Sequence, residues 1–197
     1  GNDSIVNEGE VGDEIFGGAG DDSIVNNGVV VGNIEGGSGD DIITNAANAS
    51  VGWSLFGNAG NDSIVNEGIV SFIDGKEGDD TIINSLDAWS STIGAGAGND
   101  LVINYGQLSG IYGEDGADTI INNGVVDELI YGGDYFVSDT STNDSLIVGA
   151  NSSIGSFGAG SIDGALDADK IKGIENIEIE GAEKKVVVAA GATETIT

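Results

Sequence analysis

Gly1-Asn2-Asp3-Ser4-Ile5-Val6-Asn7 returns unchanged as Gly60-Asn61-Asp62-Ser63-Ile64-Val65-Asn66. Near relatives of the string begin at Gly20 (GDDSIVN), Gly39 (GDDIITN), Gly78 (GDDTIIN), Gly98 (GNDLVIN) and Gly116 (GADTIIN). Successive copies start 19, 19, 21, 18, 20 and 18 residues apart, and a looser eighth runs from Asn143 to Val148 after an expanded turn. A fixed period of this length marks stacked units that cannot bury an apolar face alone.

Each unit has two halves. A glycine-rich turn such as Gly17-Gly18-Ala19-Gly20-Asp21-Asp22 leads into a short β-branched run, then a polar corner, often Asn-x-Gly, leads into a second apolar stretch. The alternation has period two, which is strand and not helix. Two strands and two turns in about 19 residues make one coil of a solenoid. The fold class is therefore all-β, a right-handed parallel β-roll or β-solenoid of about eight coils closed by a C-terminal cap.

Parity assigns the faces, because residues two apart on a strand share a side. Ile5, Ile24, Ile43, Ile64, Ile82, Val102 and Ile120 form an inward ladder, and Asn7, Asn26, Asn45, Asn66, Asn84, Asn104 and Asn122 run beside it. Stacked amides can bond one another and the turn backbone, a structural role. The outward columns are Val6, Val25, Thr44, Val65, Ile83, Ile103 and Ile121, next to Ser4, Ser23, Ile42, Ser63, Thr81, Leu101 and Thr119.

Composition narrows the chemistry. The 197 residues hold 34 acidic and 5 basic side chains, a formal charge of −29, with neither histidine, cysteine, proline nor methionine. The five cations are all lysines, and none occurs before Lys76. Nucleic acid is excluded as a general partner, since binding it takes a basic footprint. Ser-His-Asp and Cys-His catalysis is impossible, and the soft ligands of zinc, copper and iron–sulfur sites are missing. Oxygen ligands in excess suit hard cations such as calcium. No apolar run approaches the roughly 18 residues of a membrane span, so no membrane insertion is expected. No leader is visible and the chain opens in mid-repeat, which suggests a piece of something longer.

The turns resemble the Gly-Gly-x-Gly-x-Asp-x-U-x repeat of RTX (hemolysin-type) calcium-binding proteins, where U is a large apolar residue. Gly17 to Val25 (GGAGDDSIV) and Gly36 to Thr44 (GGSGDDIIT) match best. The second glycine is replaced in the turns at Gly57, Gly75 and Gly113, and the first in the turn at Ala95. Glycine at the fourth position and aspartate at the sixth hold throughout these turns, and the calcium turn occurs once per coil. The resemblance implies Ca2+ between successive turns, about one ion per adjacent pair of coils. Its aspartate ligands would be Asp3, Asp22, Asp41, Asp62, Asp80, Asp100 and Asp118, with Asp144 extending the ladder. Backbone carbonyls of Gly17, Ala19, Gly36, Ser38, Gly57, Ala59, Gly75, Glu77, Ala97, Gly113 and Asp115 would complete the shells. Independently, coils about 4.8 Å apart would stack these carboxylates into a column of like charges that a divalent ion relieves. Aspartates also form turns without metal, so a metal-free corner is the competing reading. Asp21, Asp40 and Asp79 are expected to face solvent.

Residues 1–150 read as the calcium-binding repeats and 151–197 as irregular last coils and a cap. Within the latter, Asp167–Ile177 and Val186-Val187-Val188 are the candidate closing segments. The expected function is a calcium-dependent structural module of a secreted or cell-surface bacterial protein that folds outside the cell. The resemblance implies type I secretion as its route. An alternative is self-assembly or adhesion, with copies of itself or other surface components meeting the Val/Ile face. Some RTX-like solenoids bind ice through regular threonines in the turn; Ala19/Asp21, Ser38/Asp40, Ala59/Asn61, Glu77/Asp79 and Ala97/Asn99 lack threonine, which argues against it. A further alternative is an accessory module of an extracellular enzyme whose catalytic domain lies elsewhere; no acid pair here breaks the repeat, so no catalysis is expected of this chain.

Overall fold

A computed structural model describes residues 1–132 together with 145–148, 153–154, 171–172 and 176–179. These build a parallel β-solenoid of about seven coils with repeats near 19 residues, and no helix occurs among them. Asp144, the Val186–Val188 run and most of the expected cap lie outside the described residues.

The first sheet has nine parallel strands in strict register. Seven are the repeated four-residue runs, Ser4–Asn7, Ser23–Asn26, Ile42–Asn45, Ser63–Asn66, Thr81–Asn84, Leu101–Asn104 and Thr119–Asn122. Ser145–Val148 and Asn176–Ile179 continue the stack. Each of the seven repeated runs places its second and fourth residues inward. Ile24, Ile43, Ile64, Ile82, Val102 and Ile120 are 0% exposed, as are the asparagines from Asn26 to Asn122. Facing them, the second sheet contributes Ile34, Leu55, Ile73, Ile93, Ile111 and Ile130 to the same core. Its long strands, Ser50–Ala59, Ile69–Glu77, Trp89–Ala97 and Gln107–Asp115, run from the asparagine corner to the glycine turn. These rows, with a third row of Val30, Val51, Val70, Leu108 and Val126, fill one narrow interior without a disulfide.

Two local devices account for the unequal coil lengths. The short corner is Asn-x-Gly; in two coils it expands into a turn, Ala46–Ala49 and Ser85–Ala88, closed by Ala49 N–H to Ala46 O (2.9 Å) and Ala88 N–H to Ser85 O (3.1 Å). Asn48 and Asp87 take positive φ there (68° and 69°), a conformation Asn and Asp tolerate better than most residues. The second device is a bulge in the second sheet. It shifts the pairing between Val70/Phe72 and the preceding coil and pushes Trp53 out to 65% exposure. Both insertions stay at the periphery, so the register of the inward rows survives.

Candidate metal centre along the aspartate corner

Each glycine turn reverses the chain by two residues in the left-handed region. The fourth-position glycines have φ between 112° (Gly20) and 144° (Gly98). A β-carbon on Gly78 would lie 1.9 Å from the carbonyl oxygen of Gly60 in the previous coil, so glycine is required both by conformation and by space. The second position is also left-handed, whether it is glycine (Gly18, Gly37, Gly96) or Asn58, Lys76 and Glu114 (φ 79°, 84° and 72°). Turn stacks on turn through the fourth-position amides: Gly20, Gly39, Gly60, Gly78 and Gly98 donate to the carbonyls of Ser38, Ala59, Glu77, Ala97 and Asp115 at 2.7–2.9 Å. Those third-position carbonyls, expected as ligands, thus spend one lone pair on the neighbouring coil. Ala19 holds the same place in the first turn.

The sixth-position aspartates form a buried column. Asp22, Asp41, Asp62, Asp80, Asp100 and Asp118 are only 1–2% exposed. Asp3, in the first coil, is exposed. Each backbone N–H donates to the Oδ1 of the next aspartate: Asp3 to Asp22 at 2.6 Å, Asp22 to Asp41, Asp41 to Asp62, Asp62 to Asp80 and Asp80 to Asp100 at 2.7 Å, and Asp100 to Asp118 at 2.9 Å. That satisfies one oxygen per carboxylate. The Oδ2 atoms of Asp22, Asp41, Asp62, Asp80 and Asp100 are buried with no hydrogen-bond partner. Leaving such an atom desolvated and unpaired costs on the order of 1–3 kcal/mol, more when it is charged.

The first-position glycine faces this orphan oxygen. A β-carbon on Gly17, Gly36, Gly57, Gly75 or Gly113 would stand 2.2–2.7 Å from the Oδ2 of its own turn's aspartate. At Gly17, Gly57, Gly75 and Gly113 it would also stand 2.2–2.8 Å from a carbonyl of the next coil, that of Gly36, Gly75, Ala95 and Gly132 respectively. A carboxylate oxygen from one coil and a carbonyl oxygen from the next converge where a side chain is missing. No group of three or more carboxylates that could hold a metal occurs among the described residues. A cation here would draw on one or two carboxylates and on backbone carbonyls, an all-oxygen set suited to a hard ion. The carbonyls of Ala95 and Gly132 complete this pattern and were not among the residues expected from sequence.

Burial has an electrostatic consequence. Desolvation pushes the Asp80 carboxyl up to about 7, against the lowering pull of the Asp62 N–H, with Asp100, Asp62 and Asp74 adding repulsion. Asp62 and Asp100 are pushed up to about 6 by the same burial, and Asp41 is raised as well. Without a counter-ion the column resists ionisation.

Two expectations about the surface are corrected. Asp21, Asp40 and Asp79 are exposed, but they do not merely face solvent. The Oδ1 of Asp21 accepts the Asp40 N–H (3.1 Å), that of Asp40 the Asn61 N–H (2.7 Å) and that of Asp79 the Asn99 N–H (2.7 Å). This fifth-position ladder runs opposite in sense to the sixth-position one, because adjacent peptide N–H groups in an extended turn point to opposite neighbours. The outward Val/Ile column is half-buried from Val25 to Ile121 and exposed only at Val6. Among the exposed large apolar residues, Trp53 (65%), Ile69 (56%), Leu86 (73%), Trp89 (43%) and Tyr105 (45%) follow the asparagine corner in their coils, whereas Phe16 and Ile42 flank the glycine turn. Ile69 and Trp89 are direct register partners.

The sequence matches no protein-family model and none of the curated proteins. Among solved structures, the chain is similar to an X-ray crystal structure of a hyperactive, Ca2+-dependent, β-helical antifreeze protein from an Antarctic bacterium. The TM-score is 0.59 at 21% identity, over 93% of this chain and 69% of that one. The likeness is one of fold.

Proposed function

We propose that this chain is a calcium-dependent structural solenoid, a module of a secreted or cell-surface bacterial protein that completes its fold where calcium is plentiful. The observation that carries the reading is the column of buried, partnerless Oδ2 atoms at Asp22, Asp41, Asp62, Asp80 and Asp100, one per coil, the first four beside the bare α-carbon of a glycine. Calcium between successive turns would replace carboxylate repulsion with attraction and give each Oδ2 a partner. The carbonyls of Gly36, Gly75, Ala95 and Gly132 would share the shell. Because the site does not exist in the unfolded chain, binding free energy becomes folding free energy. At a net charge of −29 with 35 glycines, the calcium-free chain in neutral solution is expected to be expanded. Export through a calcium-poor compartment followed by folding outside fits that behaviour, and the calcium dependence of the similar antifreeze protein agrees with it.

Ice binding is the weaker reading. The outward third positions Ala19, Ser38, Ala59, Glu77, Ala97 and Asp115 mix small and acidic side chains and hold no threonine, so the turns present no regular threonine array. Adhesion or self-assembly gains from a different observation, the exposed Ile69 and Trp89 that lie side by side on adjacent coils, since exposed apolar area commonly marks an interface. A catalytic role is not part of the proposal.

The test is far-UV circular dichroism of EDTA-treated protein during calcium titration, with magnesium as the control. A cooperative gain of β signal with calcium alone is expected, because magnesium is smaller and sheds its waters reluctantly. An unchanged β signal with and without calcium would leave a metal-free solenoid and sink the proposal.

A further inference from the structure

Five of the six complete turns begin with glycine, at positions 17, 36, 57, 75 and 113; the remaining turn begins with Ala95. The difference falls on the carbon atom whose absence opens the site in the other turns. Where glycine stands, the space of the missing β-carbon lies within 2.2–2.7 Å of the aspartate Oδ2. Ala95 fills that space with a methyl group, is 0% exposed, and packs in the apolar core. Asp100, the aspartate of the same turn, still carries a buried Oδ2 without a partner. Real carbon–oxygen contacts need more than 3 Å, so this carboxylate cannot approach the α-carbon of its turn as the others do. A tightly packed interior transmits such a displacement and does not absorb it.

We infer that the ion column is not uniform, and that the seat beside Asp100 is closed or weakened by the Ala95 methyl. The seats at Asp22, Asp41, Asp62 and Asp80 remain open. The inference rests on the calcium reading and refines it. Its consequence is a column divided between the turn at Gly75 and the turn at Gly113. Ala95 still serves the seat before it, because its carbonyl lies 2.2 Å from the space above Gly75, next to the Asp80 Oδ2. The alanine therefore closes one seat without damaging its neighbour.

The decisive variant is Ala95→Gly, which only removes a methyl. Calcium binding to the full chain is followed by isothermal titration calorimetry, and bound calcium is counted in gel-filtered protein. The expected result is one more ion per chain in Ala95→Gly than in the parent, at a calcium concentration where the parent's weakest seat is empty. The reciprocal variant Gly57→Ala should bind one ion fewer, with the β spectrum in calcium showing that it folds; Ala95→Gly decides the matter even where it does not. Identical isotherms and ion counts for the parent and Ala95→Gly would overturn this inference alone, because the parent's binding would still support the calcium reading. A parent chain that binds no calcium would overturn both.

Discussion

The two corners of each coil solve the same problem in opposite ways. Both stack one polar side chain per coil in a buried column. At the asparagine corner each amide donates to the next Oδ1, from Asn7 to Asn26 at 2.8 Å through Asn104 to Asn122 at 2.9 Å. The second amide hydrogen reaches a carbonyl of the facing sheet, as from Asn45 to Ile69 O (3.2 Å), and Oδ1 also accepts a nearby glycine N–H, as from Gly9 to Asn7 (3.0 Å). An amide carries both donors and acceptors, so a column of them is self-sufficient. At the aspartate corner the same length of side chain carries acceptors only. Backbone N–H groups supply one donor per coil, and the other oxygen is left over. One corner closes with protein alone as far as Asn104, with only the terminal Asn122 Nδ2 left over; the other leaves an acceptor over in coil after coil.

The largest test of this contrast acts on every coil at once. The Asp62, Asp80 and Asp100 carboxyls are raised in the folded state to about 6, 7 and 6, from an ordinary value of 3.8. A folded carboxyl with a raised pKa holds more protons than the unfolded one between those limits. Stability of the metal-free protein must therefore be greatest near pH 4 and fall as pH rises towards 7. Protons should stand in for calcium. In EDTA, lowering the pH from 8 to 5 is expected to recover β signal and raise the thermal midpoint, while in calcium the same change should weaken ion binding. A metal-free protein that loses stability on that descent would contradict the account of the aspartate corner.

Single substitutions exchange the two corners. Asn66→Asp puts a charge into the amide chain, removing the donors to Asn84 (2.9 Å) and Trp89 O (3.3 Å). An uncompensated buried charge costs roughly 3–5 kcal/mol. Urea unfolding in calcium should show a loss of that order, and calcium should not rescue it. Asp62→Asn makes the reverse exchange with a smaller effect. Its amide nitrogen would stand near the Gly75 carbonyl and donate where Oδ2 cannot, so the metal-free protein should gain roughly 1 kcal/mol. The variant should also bind one calcium ion fewer, as counted by titration calorimetry. Equal ion counts in Asp62→Asn and the parent would remove Asp62 from the ligand set.

Much of this was legible in the chain. The return of Gly-Asn-Asp-Ser-Ile-Val-Asn sets the register, because like strings in parallel coils lie over one another. Parity then put Ile24 and Asn26 inside and Val25 outside. Three things were not legible. The carboxylates of Asp21, Asp40 and Asp79 accept amides because of the direction of neighbouring N–H groups, which no residue type encodes. The half-burial of the Val/Ile column depends on lateral shielding by adjacent coils. The exposure of Trp53 and Leu86 comes with two expanded features, the bulge beside Trp53 and the turn at Leu86, whose extra residues have no place in the repeat.

A parallel solenoid, its period, its inward rows and an acidic column at one corner all follow from the order of residues in the chain. Glycine at fixed positions and β-branched residues in alternation leave the backbone few other courses. Which oxygens in that column are satisfied is set by the packing of coil on coil. That outcome depends on how closely one coil approaches the next: whether an N–H reaches Oδ1, whether a carbonyl meets Oδ2, and whether a methyl group such as that of Ala95 already occupies the space between them.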